Sequence, residues 1–445
     1  MLLSYLGLVL GLGSMLYLTV QKRWFILMAA WVATVVIAIF NGAYTPTAMW
    51  AFFTQFGSGM GVAANYLMIM PLGALFGRVM QVSGFAESIA IKFSNAFGPK
   101  YAGIGLFVVT ALLTWGGISV VVAIFTIYPI VMAIGKKLDL PRPYLLGTYI
   151  AGSCTFTTGM IPGVPSAHNL IPTTFLGTTA TAGAFQGIVA SLITVVLSVL
   201  WLLYDLKRIR EKGLHFTPNP NDKIENFESI IDKKLPPWQI AVIPLVICIL
   251  SVLLFNHIVN AFALVSIGIS IAVILTWIYS RKTYPESMRD TISIGFTNGF
   301  TGLLSFVAIV GLGKAMANTI AYKDVIARVI NLDMNPYVLV AVGVSIICLV
   351  TGSSSGGLTL AMQGLSEKFL QLSGAGANLG AIHRIAATAG VGFDAMPWNL
   401  GVCLFLSIFN LSYKEGYSYF VKYAIVIPVI SLIAITALSY VGIGV

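Results

Sequence analysis

The sequence predicts an all-α polytopic membrane protein made of two inverted-topology repeats, each with five crossings, a re-entrant helical hairpin and a broken transmembrane helix. Three observations carry this. First, of 445 residues 58% are hydrophobic and 9% charged, and the mean hydropathy is +0.92, whereas soluble domains hold about 25% charged residues. Second, one apolar program occurs twice, 236 residues apart: Gly77-Arg78-Val79-Met80 with Ser83 returns as Gly313-Lys314-Ala315-Met316 with Thr319, and Gly116 with Ser119 returns as Gly352 with Ser355. Internal repeats in a membrane chain are the mark of secondary transporters, whose substrate sites lie between the copies. Third, an odd number of crossings per copy forces the second to insert upside down.

The first copy spans 1–204. Leu2 to Val20 and Trp24 to Phe40 are long enough to span, and Val62 to Val82 forms a third span after a partly polar approach. Phe85 to Phe97 alternates Ile89, Ile91 and Phe93 with Glu87, Ser88 and Lys92, the pattern of a helix lying along the membrane surface. Tyr101 to Leu113 is too short to cross, and the turn Thr114-Trp115-Gly116-Gly117-Ile118-Ser119 sends the chain back toward Ile134 as a hairpin. Tyr144 to Phe175 carries Pro162, Gly163, Pro165, Ser166, His168 and Asn169 where a plain span would be apolar. A helix broken at depth accounts for them, because irregular backbone is tolerated there only when buried in protein or lining a cavity. Ala182 to Tyr204 closes the copy.

A polar cytoplasmic linker, 205–237, leads to the second copy, 238–445, which repeats the order. Its spans are Trp238 to Phe255, Ala261 to Tyr279 and Ile292 to Ala317, followed by the amphipathic Tyr322 to Ile330. The second hairpin turns at Thr351-Gly352-Ser353-Ser354-Ser355, the second break lies in Ala381 to Phe409, and Tyr419 to Tyr440 is the last span. With both termini external, 20 of the 25 basic residues fall on the inner side, as the positive-inside rule requires. The net charge of +10 therefore reflects topology, and no nucleic-acid partner is implied.

Gly- and Ser-rich tips expose backbone groups and add hydroxyls without bulk, so Gly116, Gly117, Ser119, Ser353, Ser354 and Ser355 are candidate substrate contacts. The breaks add Ser166, His168, Asn169, Thr173, Trp398 and Asn399. Asp394 is the one carboxylate placed near the midplane, which makes it the candidate for ion coupling, with His383 a second. Arg384 could attract an anionic substrate or pair structurally. No metal site is firm, although the carbonyls of the tips would suit Na⁺, and no cofactor is expected. The four cysteines stand singly, without the spacing of a metal site. Phosphate loops and hydrolase motifs are absent, which excludes the common enzyme classes and a self-contained primary pump.

Leu75-Phe76-Gly77-Arg78-Val79-Met80, Pro162-Gly163-Val164-Pro165-Ser166-Ala167-His168-Asn169-Leu170-Ile171-Pro172-Thr173-Thr174 and Thr351-Gly352-Ser353-Ser354-Ser355, in this order, resemble the gluconate permease (GntP) family of the ion transporter superfamily. The resemblance implies an inner-membrane symporter of small hydroxy carboxylates, a homodimer, and an elevator-like moving body. Sugar-acid members tend to follow the first-break histidine with Ser or Gly and paired prolines, whereas this chain reads His168-Asn169-Leu170-Ile171-Pro172. That departure favours a short acid such as 3-hydroxybutyrate over gluconate. The coupling ion is H⁺ or Na⁺. The alternatives are a Na⁺/H⁺ antiporter and a channel-like carboxylate facilitator.

Overall fold

Helix ends follow local chemistry throughout the chain. The computed structural model describes residues 1–22, 24–98, 101–218, 235–255, 261–282, 287–330, 334–351, 354–397 and 399–445, and every regular element among them is helical. The first copy contains α1 (Leu2–Leu16), α2 (Ile26–Phe40), α3 (Pro46–Ala63), α4 (Ile69–Val82), α5 (Phe85–Ala96), α6 (Ala102–Trp115), α7 (Val120–Lys137), α8 (Arg142–Ser153), α9 (Phe156–Gly159), α10 (Ala167–Leu176) and α11 (Ala184–Glu211). The second contains α12 (Trp238–Phe255), α13 (Ala261–Ser280), α14 (Met288–Ala317), α15 (Ile320–Ile330), α16 (Pro336–Thr351), α17 (Ser354–Gly374), α18 (Leu379–Gly392), α19 (Leu400–Ile408), α20 (Tyr413–Phe420) and α21 (Ile427–Tyr440).

Among the described residues six helices are long and apolar enough to cross a bilayer, or seven if the bent pair α4–α5 is one span. Helix α5 leaves α4 at 70°. The hairpin arms α6 and α16 stay short, with 14 and 16 residues; at about 1.5 Å per residue neither spans the roughly 30 Å hydrocarbon core.

The structure differs from the sequence reading in two places. The approach to the third span is itself a helix, α3, opened by Pro46 and by the Thr45 side chain accepting the Ala48 N–H at 3.2 Å; a 3₁₀ turn at Ala64–Tyr66 separates it from α4. Its polar residues Thr54, Gln55 and Ser58 lie on the exposed face, while Phe56 and Gly59 face inward. Gly59 packs so closely on α14 that a Cβ there would lie 2.7 Å from the Gly311 backbone. The second difference is at the linker, whose first residues continue α11 to Glu211. Asp205, read as the linker's start, is 2% exposed and accepts hydrogen bonds from Lys422 Nζ at 2.7 Å and Tyr423 Oη at 3.1 Å.

Helices α1–α4 pack with α12–α14, and the hairpins pack with the broken spans and with α11 and α21. Contacts between copies recur as exchanged pairs: α13 meets α4 as α2 meets α14, and α12 meets α5 as α1 meets α15. Ser88 on α5 donates to the Pro236 carbonyl at 2.6 Å, and Asp324 on α15 accepts from Tyr5 of α1. Helices α11 and α21 run antiparallel. Gln186 near the start of α11 donates to the Gly444 carbonyl at 2.9 Å, Asp205 near its end meets Lys422 ahead of α21, and Thr194 and Ser431, 237 residues apart, share a 2.8 Å hydrogen bond at the centre.

Candidate functional site

The end of α8 shows how a span can stop inside the protein. The last carbonyls of a helix lack intrahelical partners, and here hydroxyls take several of the carbonyls around the stop. Thr155 Oγ1 donates to the Ala151 carbonyl at 2.6 Å, Thr157 Oγ1 to Gly152 at 3.1 Å, and Thr158 Oγ1 to Thr155 at 2.6 Å. Thr114, at the end of the first hairpin arm, ties that arm to the break through Thr157 at 3.0 Å. After the single-turn α9 the chain passes Pro162 and Pro165 and restarts at α10, where Ser166 accepts the Asn169 N–H at 3.3 Å and donates to the Thr158 carbonyl.

The first tip meets this break. Gly117 sits at φ +97°, a conformation L side chains rarely adopt, and a Cβ there would come within 3.3 Å of Pro165. Gly116 is buried; Ser119, ahead of α7, is exposed.

The second copy completes the first break. Arg384 on α18 is fully buried and sends Nη1 to the Gly159 carbonyl at 3.0 Å and Asn169 Oδ1 at 2.8 Å, Nη2 to the Ala180 and Ala182 carbonyls at 3.2 and 2.7 Å, and Nε to Ala182 at 3.1 Å. A guanidinium has five N–H donors, and these bonds use all five. Asn169, also fully buried, donates Nδ2 to the Val164 and Ala180 carbonyls at 2.9 and 2.8 Å. His383 Nδ1 pairs with Thr178 Oγ1 at 2.6 Å, and its Nε2 lies 3.4 Å from Asn169 Oδ1. Arg384, Asn169 and His383 thus bond to one another's surroundings at the first break, and for Arg384 this is the structural pairing that the sequence left open beside anion attraction. Carbonyls outside regular helix at depth must be satisfied from within the protein; these side chains serve Gly159 and Val164 in the break and Ala180 and Ala182 in the connection between α10 and α11.

The second break, Phe393 to Asn399, is held differently. Tyr413 Oη donates to the Pro397 carbonyl at 2.6 Å and Tyr417 Oη to Ala395 at 3.2 Å. Asn399 caps α19 by accepting the Gly401 and Val402 N–H groups at 2.6 and 3.2 Å, so its oxygen serves the helix end. Asp394 stands in this break facing the Ser354 side chain, and its charge reaches Cys154 at the end of α8 and Cys348 on α16. One carboxyl group thus lies within electrostatic range of elements of both copies.

Among the remaining candidates, His168 is half-buried at the first turn of α10 without a hydrogen bond to the protein. Thr173 donates to the Leu170 carbonyl at 2.7 Å, and the Ser355 carbonyl accepts from Thr359 at 2.7 Å. Ser353 and Trp398 lie outside the described residues, as does Gly352 at the second tip. Among the described residues no three His, Cys, Asp or Glu side chains gather as a metal site. The sequence reading missed Tyr413, Tyr417 and Thr178. The two tyrosines could have been suspected from their four-residue spacing behind a break; Thr178 left no signal.

The model of the GntP family permeases matches residues 3–441. The chain is 25% identical over 419 residues to the uncharacterized transporter YxjC of Bacillus subtilis, covering 85% of this chain and 88% of that one. It is 26% identical over 394 residues to a gluconate permease of Bacillus licheniformis, covering 80% and 82%. In structure it is similar to the YdaH transporter of Alcanivorax borkumensis, with a TM-score of 0.56 at 14% identity over 95% of this chain and 97% of that one. It is also similar to MtrF of Neisseria gonorrhoeae, with a TM-score of 0.52 at 12% identity over 94% of each. The chain belongs to the GntP permease family, a family of transporters and not of enzymes.

Proposed function

We propose that this member of the GntP permease family is a secondary active symporter that imports a small hydroxy carboxylate, 3-hydroxybutyrate or gluconate, across the bacterial inner membrane with H⁺ or Na⁺. The observation that carries the reading is Asp394, an ionisable group between α18 and α19 that faces Ser354 at the start of α17. Ionisable residues at membrane depth mark ion or proton pathways. A relative named as a gluconate permease supports the substrate class.

In this reading the hairpins and broken spans move as one elevator-like body against α1–α4 and α12–α14. His168, whose imidazole has no hydrogen bond among the described residues, contacts the substrate beside the first break, and Ser354 faces Asp394. Asp394 carries the coupling ion, and Arg384 keeps the first break rigid so that the body moves without unravelling. The inverted relation of the copies is supported by the exchanged contacts and by the Thr194–Ser431 bond, which joins residues 237 apart at the centre of an antiparallel pair. A homodimer fits the exposed Gln55, Ser58, Thr297 and Asn298 on α3 and α14, since polar side chains facing lipid are costly.

The test is a solid-supported-membrane current screen of gluconate, lactate, 3-hydroxybutyrate and citrate, with pH and Na⁺ varied separately. Currents for a hydroxy monocarboxylate that follow one cation gradient are expected. Na⁺-dependent proton movement with no carboxylate current would replace the symporter by an antiporter. Labelling of a cysteine at Arg281 from outside would invert the topology.

A further inference from the structure

Helix α17 carries a polar stripe at every fourth residue, Ser355, Thr359 and Gln363, and such residues share one face. Close approaches fix the other faces. Leu358 lies against Gly390 of α18, Leu365 against Gly343 of α16, Leu360 against Gly313 of α14, and Gly364 against Ile326 of α15. The remaining neighbour is α10, the helix of His168, which packs on α17. On a wheel of 100° per residue, the stripe falls in the arc those four contacts leave open.

Thr359 is accounted for, since its Oγ1 donates to the Ser355 carbonyl. Gln363 is not: both amide atoms, Nε2 and Oε1, are buried and neither has a hydrogen-bond partner among the described residues. An amide buried with both ends unspent is unfavourable unless something supplies a matching donor and acceptor. A carboxylate alone offers only acceptors; a hydroxyl offers both.

We propose that Gln363 reads the hydroxyl of the transported acid, Oε1 accepting its proton and Nε2 donating to an oxygen of the same ligand. This rests on the carboxylate-transport reading and deepens it. Gln363 then determines specificity between hydroxy acids and their deoxy counterparts, a task that Asp394 and His168 do not perform. At the position 236 residues earlier the first copy has Ile127, so the hydroxyl is read from one side only.

Uptake of 3-hydroxybutyrate, gluconate and butyrate into proteoliposomes tests this with wild type, Gln363→Leu and Gln363→Asn. Gln363→Leu is expected to raise the KM for the hydroxy acid about tenfold and leave that for butyrate within about twofold, because a site built to bond a hydroxyl penalises its loss most. Thermal stability without substrate supplies the second readout. An amide with no protein partner predicts that Gln363→Leu melts at or above the wild-type temperature, whereas a purely structural glutamine predicts a lower one. An unchanged hydroxy-to-deoxy ratio in folded Gln363→Leu overturns the proposal alone. If Gln363→Leu fails to fold, the same ratio is read on Gln363→Asn, which retracts the amide and is expected to lose discrimination as well. Wild-type protein that accumulates neither hydroxy acid overturns the transport reading, and this proposal with it.

Discussion

The two broken spans solve one problem by different means. The first, between α8 and α10, is long and contains no charged residue; a cation from the other copy, Arg384, ties its Gly159 carbonyl to the Ala180 and Ala182 carbonyls in the connection between α10 and α11. The second is short, contains Asp394, and is held by two neutral tyrosine hydroxyls from its own copy. The difference separates rigidity from function. The break braced by a buried guanidinium is a fixed wall, and the break braced by weaker hydroxyl bonds is the one that holds the ionisable group.

Removing the brace is the strongest way to break this contrast. Arg384→Met leaves the carbonyls of Gly159 and Ala182 without its donors, while Ala180 keeps the Asn169 amide, and at about 1–3 kcal/mol for each buried unsatisfied group the loss is on the order of 4 kcal/mol. Thermal unfolding in detergent should show a large fall in Tm; a wild-type Tm would mean that the first break does not depend on the second copy. Next in size is Asp394→Asn, for which gradient-driven accumulation should drop at least about tenfold while substrate exchange survives, as expected of a group that couples and does not merely bind. Exchange lost in parallel would return Asp394 to a structural role.

His168→Ala should raise the substrate KM about tenfold, the value of one charge-assisted hydrogen bond, with little change in Tm. A fall in Tm with KM intact would place the imidazole in the frame beside Asn169. Tyr417→Phe sharpens the comparison from the other side: loss of its bond to the Ala395 carbonyl should cost about 1 kcal/mol, several-fold less than Arg384→Met. Equal costs would erase the distinction between the breaks.

The smallest effect belongs outside both breaks. Just beyond α7, His215 and the Phe216 N–H hold the Asp139 carboxyl below its ordinary range. A carboxyl lowered in the folded state adds stability above its unfolded pKa and loses it as pH falls through the folded value. The Tm difference between wild type and Asp139→Asn should therefore be small at neutral pH and close below about pH 4. A difference that widens with acid would reverse the sign of the interaction.

The parts of this molecule that were readable in the sequence are those written in side-chain type. Glycine and proline announced the first tip and both breaks, short apolar runs announced α6 and α16, and amphipathic spacing announced α5 and α15. What could not be read depends on backbone carbonyls, which every residue has. Arg384 was visible as a charge in a span, but nothing in its neighbourhood showed that its partners are carbonyls 202 and 225 residues earlier. Asn169 looked like a ligand contact for the same reason. Asp205 was assigned to the linker because hydropathy falls there; its pairing with Lys422, 217 residues on, is a fact of packing. Gln363 gave no signal because the returning arm is recognised by its apolar residues Leu358, Met362 and Leu365.

The Arg384 brace also sets a timetable for biogenesis. A ribosome adding about 5–20 residues per second makes the Gly159 carbonyl 225 residues before the guanidinium that will bind it, an interval of roughly 10–45 seconds. For that time the first broken span is already synthesised but cannot close. It must wait at the translocon, in water or against a chaperone, and the first half alone cannot finish its own fold. Translation that stops short of α18 leaves a product with open carbonyls at membrane depth, a ready target for membrane quality-control proteases.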